Sequence, residues 1–586
     1  MDGTRRDFAG DLRLRLVAAG ALAGLLSTFT AWLLLHLIRF FTNLFFFQIL
    51  SDSPSSPASN TLAYWVVAVP VLGGLAVGLI ARFGSDKIRG HGIPEAIEAI
   101  LFGKSSMSPK VALLKPLASA IAVGSGGPFG AEGPIIMTGG AFGSLIAQFF
   151  HLTSSERKTL LVAGAAAGMT AIFGTPLAAL LLAVELLLFE LRPRSLLPVA
   201  AACAVAGFVR ALIFEPAPLF PLHTMTPGPL ALLSCLAAGI AAGALSWLLS
   251  SALYRVEDGF GKLPLHWMWW PALGGLAVGI GGYLEPRALG VGTDVIGDLL
   301  NNRLALQFML GLLLCKAVMW VIALGSGTSG GVLAPLLMLG AGLGALLGPY
   351  LPGGEPALWP LVFMAATLAG LMGAPLTAVI FALELTHDMN ALLPLLAAAT
   401  ASYGFTVLTM RRSILTEKIA RRGYHIYREY GVDPLERHAA GELMTRTVDS
   451  IDAGMSVAEA LASRFGAAQA YRAYPVLRDG AVVGMAERAA LVQAAQRDGA
   501  IRVGALFGSA PLFALPGETA RAVAARLAAN GMARLPVVAD GASRRLVGII
   551  SRSDLIKPSL GVFNEEEKRE RLRHAPFFAP APRPED

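Results

Sequence analysis

Two Gly-rich stretches of eleven residues hold the groups best placed to do chemistry. GSGGPFGAEGP runs from Gly124 to Pro134, and GSGTSGGVLAP from Gly325 to Pro335. Both open Gly-Ser-Gly, both close on Pro, and both interrupt strongly apolar sequence. In hydrocarbon, non-helical backbone is tolerated only where it is buried in protein or lines a cavity. Paired interruptions in the two halves of a membrane protein point to a substrate site. Helices starting at such breaks aim unpaired N–H groups and the positive end of their dipole at one place, which suits an anion. Only the first stretch carries a charge, Glu132. The chemistry predicted is desolvation of an anion by main-chain amides, with one carboxylate set into its path. The plainer reading of Glu132 is a helix cap.

The elements around these breaks follow from composition. With 55% apolar and 15% charged residues among 586, the chain reads as a polytopic membrane protein. Spans of membrane length recur from about residue 14 to about residue 410. The arm 1–13, MDGTRRDFAGDLR, is basic and leads into a long apolar segment, so it is expected on the cytoplasmic side and is not a cleaved leader. A formal net charge of +7 fits such arms; no basic-aromatic patch indicates nucleic acid. Cys203, Cys235 and Cys315 stand alone in apolar segments and read as inert buried thiols.

A second pair of landmarks fixes the architecture. GTPLAALLLAVEL (174–186) and GAPLTAVIFALEL (373–385) agree at seven of thirteen positions, including Glu185 and Glu384. Their offset is 199 residues, against 201 for the Gly-rich pair. This predicts an internal duplication, about 15–215 and 225–425, with the site between the halves. The pairing of Glu185 with Glu384 suggests a structural role, such as bonding buried backbone N–H groups. Past residue 425 the character changes: a linker (426–439), then a soluble tandem of β-α-β-β-α order at about 440–497 and 503–558, then a charged and Pro-rich tail (559–586) expected to be disordered.

In order and spacing, GHGIPE (90–95), GAEGP (130–134), GGVLAP (331–335) and the segment 413–423 resemble the four anion-pathway segments of the CLC family of chloride channels and chloride/proton exchangers. The soluble tandem resembles a pair of CBS domains. The resemblance implies an all-α membrane domain, an inverted repeat of tilted and broken helices, followed by an α/β CBS pair. It implies a homodimer in the cell membrane with both termini cytoplasmic, passing chloride and other monovalent anions. Anion contacts would fall on His91, Gly92 and Ile93, on Gly130, Ala131 and Gly133, on Gly331, Val332 and Leu333, and on Leu415. Glu132 aligns with the gating glutamate, which ionised occupies the anion's own site and protonated leaves it. No cofactor and no metal is implied; adenine nucleotide is what the CBS segment GIISRSDLI would hold, through Ser551 and Asp554. The first CBS copy lacks both groups, so one such site at most is expected, and a purely structural pair is the alternative.

Several positions depart from the family pattern. His91 stands where a Ser is common; it either donates to the inner anion or merely caps the helix or bonds a carbonyl. Leu415 stands where a Tyr is usual and offers no hydroxyl. Ala131 replaces a frequent basic residue beside the gate. Leu186 stands where exchangers often carry an internal proton acceptor. Glu190, four residues on, could serve the proton pathway with Glu132 only if that helix continues and faces the right way. The balance leans to passive, channel-like conduction, with proton-coupled exchange as the alternative. A CBS-regulated transporter of another ion, such as a divalent cation, would need more membrane carboxylates. No nucleophile–His pair, metal cluster or phosphate loop marks an enzyme.

Overall fold

Long helices with apolar residues on every side need partners on their inner faces and lipid on their outer ones. The computed structural model describes residues 14–214, 217–424, 426, 435–436, 438–466, 471–508 and 511–567. The arm 1–13 and most of the linker 426–439 lie outside the described residues. The chain divides into two units, one reaching to Tyr430 and one from Gly431 to Lys568.

In the first unit the helices come in two matching sets. The first set is α1 (Leu14–Thr42), α2 (Ala68–Phe83), α3 (Ile93–Leu101), α4 (Pro109–Gly124), α5 (Glu132–Gln148), α6 (Ser154–Phe173), α7 (Pro176–Leu182) and α8 (Pro193–Ile213). The second is α9 (Pro229–Gly261), α10 (Trp270–Leu284), α11 (Thr293–Leu300), α12 (Leu306–Gly325), α13 (Leu333–Leu347), α14 (Leu358–Met372), α15 (Pro375–Thr386) and α16 (Leu392–Thr409). A further short helix, α17 (Ile414–Arg421), follows. Among the described residues, seven helical stretches are long and apolar enough to cross a membrane. All of α14 is buried, whereas Leu22 and Phe29 of α1, Phe208 and Leu212 of α8 and Leu233 of α9 are exposed. Apolar side chains on the outside are what a lipid-facing surface requires.

The two sets cross at α2 and α10 through glycine. A Cβ on Gly74 would sit 2.2 Å from the Pro271 carbonyl oxygen, and one on Gly275 2.2 Å from that of Pro70. Each glycine thus lets the other repeat's backbone approach, and the contact is mutual.

The second unit is α/β. It comprises α18 (Ala440–Leu443), β1 (Ile451–Asp452), α19 (Val457–Arg464), β2 (Ala473–Arg478), β3 (Ala481–Glu487), α20 (Arg488–Asp498), α21 (Ala520–Ala529), β4 (Arg534–Val538), β5 (Leu546–Ser551) and α22 (Arg552–Glu567). In the first copy β1 runs parallel to β2, and β2 pairs antiparallel with β3 across the turn Asp479-Gly480, both at positive φ. In the second copy β4 and β5 pair antiparallel, and the expected first strand at PLFAL is reduced to a single parallel bridge, Ala514 to Val537. The tail expected from 559 also needs correction. Helix α22 continues through Glu567, past Pro558, and the residues beyond it lie outside the described ones.

Candidate anion pathway between the repeats

The two Gly-rich breaks meet. Gly331 N donates to Gly130 O at 2.9 Å and Gly130 N to Gly331 O at 3.4 Å, a two-residue antiparallel bridge between equivalent positions of the repeats. Immediately after it the chains turn into α5 and α13, whose first-turn N–H groups have no intrahelical acceptors. Both helix starts therefore face one small region.

Glu132 fills it. The side chain is fully buried, and its Oε1 accepts from Leu333 N, the first residue of α13. Its Oε2 has no hydrogen-bond partner among the described residues. A Cβ on Gly130 would lie 1.8 Å from this carboxylate and one on Gly331 2.2 Å from it, so only glycine leaves room there. The arrangement is more than an ordinary cap, because a cap serves its own helix. Glu132 starts α5 and bonds the start of the other repeat's helix.

Three backbone N–H groups among the expected anion contacts have acceptors within the protein. The N–H groups of Gly130 and Gly331 each donate to the other residue's carbonyl oxygen across the bridge, and that of Gly92 donates to Glu95 Oε2 at 3.1 Å. Glu95 is thus the group that caps α3. His91 does not: the residue is buried, and its Nδ1 has no partner among the described residues. Ile93, Val332 and Leu333 are buried at helix starts, and Ala131 and Gly133 flank Glu132. Leu415 is fully buried in α17. A hydroxyl does reach that region from an unexpected source, Tyr254 of α9, which donates to Ile414 O at 2.5 Å.

Two lysines missed in the sequence brace the site. Lys115 Nζ, fully buried in α4, donates to Ile88 O and Gly90 O, each at 2.8 Å. Lys316 Nζ of α12 donates to Ala288 O at 3.0 Å and Gly290 O at 2.7 Å. They lie 201 residues apart, the offset of the Gly-rich pair, and that was the signal that could have found them. Each clamps the loop before a short helix, and the loops in turn reach across: Gly90 N donates to Gly327 O at 3.2 Å and Gly290 N to Gly126 O at 3.0 Å.

Glu185 and Glu384 play the structural role expected of them. Glu185 accepts from Leu376 N at 3.2 Å, and from Thr377 N and Oγ1 at 2.8 and 2.6 Å. Glu384 accepts from Leu177 N at 2.9 Å and Ala178 N at 2.8 Å. Each acid caps the start of its counterpart's helix, α15 or α7.

The condition set for Glu190 is not met. After α7 the chain winds through a wider π-type turn, Ala183–Leu188, and Phe189 is left-handed at φ 53°, so the helix stops there. Glu190 accepts from Ser195 Oγ at 2.6 Å and lies 3.7 Å from Arg192. Leu186 is fully buried within the π turn.

In the second unit the Ser551–Asp554 pair closes on itself. Asp554 Oδ2 accepts from Ser551 N at 2.9 Å and Ser551 Oγ at 2.6 Å, and Lys557 Nζ meets Oδ1 at 2.6 Å. Burial alone would favour the neutral acid, but the Lys557 and Ser551 bonds outweigh it and hold the Asp554 carboxyl below its ordinary value. This is a helix cap at the start of α22.

Residues 72–407 match the family model described as voltage gated chloride channel, more than half of the chain. The chain belongs to that family. A CBS domain model matches twice, at 440–497 and 503–561. Among curated relatives of the family, the voltage-gated ClC-type chloride channel ClcB of Escherichia coli O6:H1 is 32% identical over 384 residues, 63% of this chain and 91% of that protein. The solved structure of a slow cyanobacterial Cl−/H+ antiporter superposes with a TM-score of 0.61 at 23% identity, covering 71% of this chain and 99% of that one. That of a eukaryotic CLC transporter gives 0.60 at 19% identity over 92% of this chain and 98% of that one. At such identity these likenesses establish the family's fold.

Proposed function

We propose that this protein passes chloride across the cell membrane along the seam between its two repeats, under the control of Glu132, and that conduction is passive. The observation that carries the reading is the carboxylate of Glu132 on Leu333 N, at a place where two helix starts converge. Ionised, Glu132 takes the amide that would otherwise serve the anion. Protonated, it no longer gains from that amide and its dipole, and it gives way. Several N–H dipoles stabilise a dehydrated monovalent anion without the tight hold of a full positive charge, which allows exit as well as entry. Passive conduction is supported by Leu186, which holds no proton, and by Glu190, which lies beyond the end of its helix and is bonded to Ser195. The protein acts as a homodimer with both termini cytoplasmic, and the CBS pair serves it structurally.

The test is chloride efflux from liposomes at several acidities. Wild type should pass more chloride as pH falls, because protonation clears the path, and Glu132→Gln should be nearly flat. An unaltered pH response in Glu132→Gln would return Glu132 to a structural role. For coupling, a chloride gradient should move no protons uphill; clear proton pumping would replace passive conduction by chloride/proton exchange.

A further inference from the structure

Five basic residues follow α16 in close succession: Arg411, Arg412, Lys418, Arg421 and Arg422. Three of them are engaged by carboxylates. Lys418 meets Glu95 at 2.8 Å, Arg421 pairs with Asp258 and Glu417, and Arg422 pairs with Glu98. The other two border a cavity of about 230 Å³ between the ends of α14 and α16 and one face of α17, lined also by Tyr403 and Tyr424 among others. Among the described residues no carboxylate lines this cavity. Arg411 is exposed and has neither ion pair nor hydrogen bond among them, and Arg412 has only a loose contact with Glu417 at 3.7 Å. The hydroxyls of Tyr403 and Tyr424 likewise have no partner among the described residues, and the Tyr424 ring is held by stacking on Phe102 at 4.3 Å.

The place of the cavity narrows what this charge can meet. Val407 and Leu408, in the last turn of α16, are 58% and 88% exposed, so the rim beside the arginines is apolar surface of the kind that lipid covers. Arginines directly after a membrane helix mark the cytoplasmic leaflet, where anionic headgroups gather around such segments. The shared scaffold does not require them. Aligned on their Gly-Phe pairs, 207–208 and 404–405, the two repeats have Phe214 and Glu215 in the first where Arg411 and Arg412 stand in the second. Pockets that enclose drug-sized ligands begin at about 300 Å³. This smaller one suits a headgroup phosphate rather than a whole nucleotide.

We propose that this cavity seats the phosphate of an anionic phospholipid from the cytoplasmic leaflet, held by Arg411 and Arg412, and that the seated headgroup steadies the turn into α17. A guanidinium offers two parallel N–H groups to two oxygens of a phosphate diester. The phenol hydroxyls add neutral donors, and Val407 and Leu408 lie alongside the acyl chains. With no acid in the cavity wall, the bound phosphate meets no opposing charge there. The turn matters because Ser413 caps α17 and Ile414 O is already anchored on Tyr254 at 2.5 Å. Protein fixes one side of the turn and lipid the other. The link to conduction rests on the anion-pathway reading of the segment 413–423; the lipid site itself does not.

The test is native mass spectrometry of the full chain in detergent, titrated with dioleoyl phosphatidylglycerol or with dioleoyl phosphatidylcholine. Wild type should bind the anionic lipid about tenfold more tightly. Arg411→Gln should weaken phosphatidylglycerol by about fivefold and leave phosphatidylcholine unchanged. Tyr424→Phe, which keeps the ring and loses the hydroxyl, should weaken it by about threefold. Arg82→Gln, at another exposed arginine in the last turn of a membrane helix, α2, should change neither lipid. Excess sodium phosphate should not displace the lipid; displacement would assign the site to a soluble anion and overturn the proposal. Equal affinity of wild type for the two lipids, or equal losses in Arg411→Gln and Arg82→Gln, would overturn it too. Chloride efflux should be about threefold faster from liposomes that contain phosphatidylglycerol than from phosphatidylcholine alone, and Arg411→Gln should lose the difference. Efflux indifferent to lipid in wild type would overturn the coupling to α17. Because lipid binding is read without transport, failure of the Glu132 gate would leave that result standing, and a silent Arg411→Gln beside a pH-flat Glu132→Gln would remove the lipid site alone.

Discussion

The two helix breaks share a Gly-Ser-Gly opening, a bridging glycine and a closing Pro, and only the first carries a charged side chain. At 132 stands a glutamate and at 333, its counterpart, a leucine. The carboxylate of the first bonds the amide of the second, so the asymmetry is exercised on the symmetry-related residue itself. The same holds at the loops before α3 and α11. Both are clamped by a buried lysine through two carbonyls, yet the first carries Arg89, His91 and Glu95 where the second carries Leu289, Val291 and Val295. The two halves share a scaffold of paired caps and clamps. The carboxylate between the two helix starts comes from one half only, so that donors from two repeats answer to one titratable group.

The sharpest way to break this comparison is to make the breaks alike. Glu132→Ala leaves no competitor for the Leu333 amide, and chloride efflux at neutral pH should rise by about tenfold, corresponding to a competitor worth about 1.4 kcal/mol. Efflux unchanged from wild type would mean that the carboxylate does not limit passage. Next in size, Lys115→Met and Lys316→Met should each lower stability by about 2–3 kcal/mol, since each strands two buried carbonyls that a charged donor had satisfied. Thermal unfolding in detergent should show similar losses. Only Lys115→Met should also slow efflux, because only its loop leads to His91; equal effects on efflux would erase the distinction between the loops.

How much of this could be read from residues alone depends on what kind of interaction carries it. The offset of about 200 residues, the Gly-rich breaks and the Glu185–Glu384 pair are written in residue identity, and each lands where its spacing placed it. The bridge between Gly130 and Gly331 is not, since glycine signals room for close approach without naming what approaches. The end of the helix at Phe189 was also hidden. Apolar periodicity continues through LLLFEL, and only packing against neighbouring segments, with Lys158 Nζ on Leu188 O at 2.9 Å, sets the π turn that detaches Glu190.

Smaller effects sharpen the comparison further. Glu185→Gln and Glu384→Gln each replace a charged cap by a neutral one, at a cost of about 1 kcal/mol. Matching drops in melting temperature would support equivalence of the two caps, and a drop in one alone would show that the repeats share the fold unequally. The slightest effect lies in the CBS pair. Because the Asp554 carboxyl is held below its ordinary value in the folded chain, its contribution is complete above the unfolded value of about 3.9 and fades as pH falls through the folded one. Asp554→Asn should therefore narrow the difference in stability of the second unit between neutral and strongly acid solution, as read by hydrogen exchange at α22. An undiminished difference would place the acid sensitivity elsewhere.

The exchanged acids Glu185 and Glu384 also bear on how the molecule is made. During synthesis the first half leaves the ribosome with the start of α7 lacking its acceptor, and that acceptor is encoded some two hundred residues downstream. Neither half has a complete set of partners until its twin arrives. The two halves thus mature as one indivisible object, and late truncation should strand the early half rather than release a smaller working version.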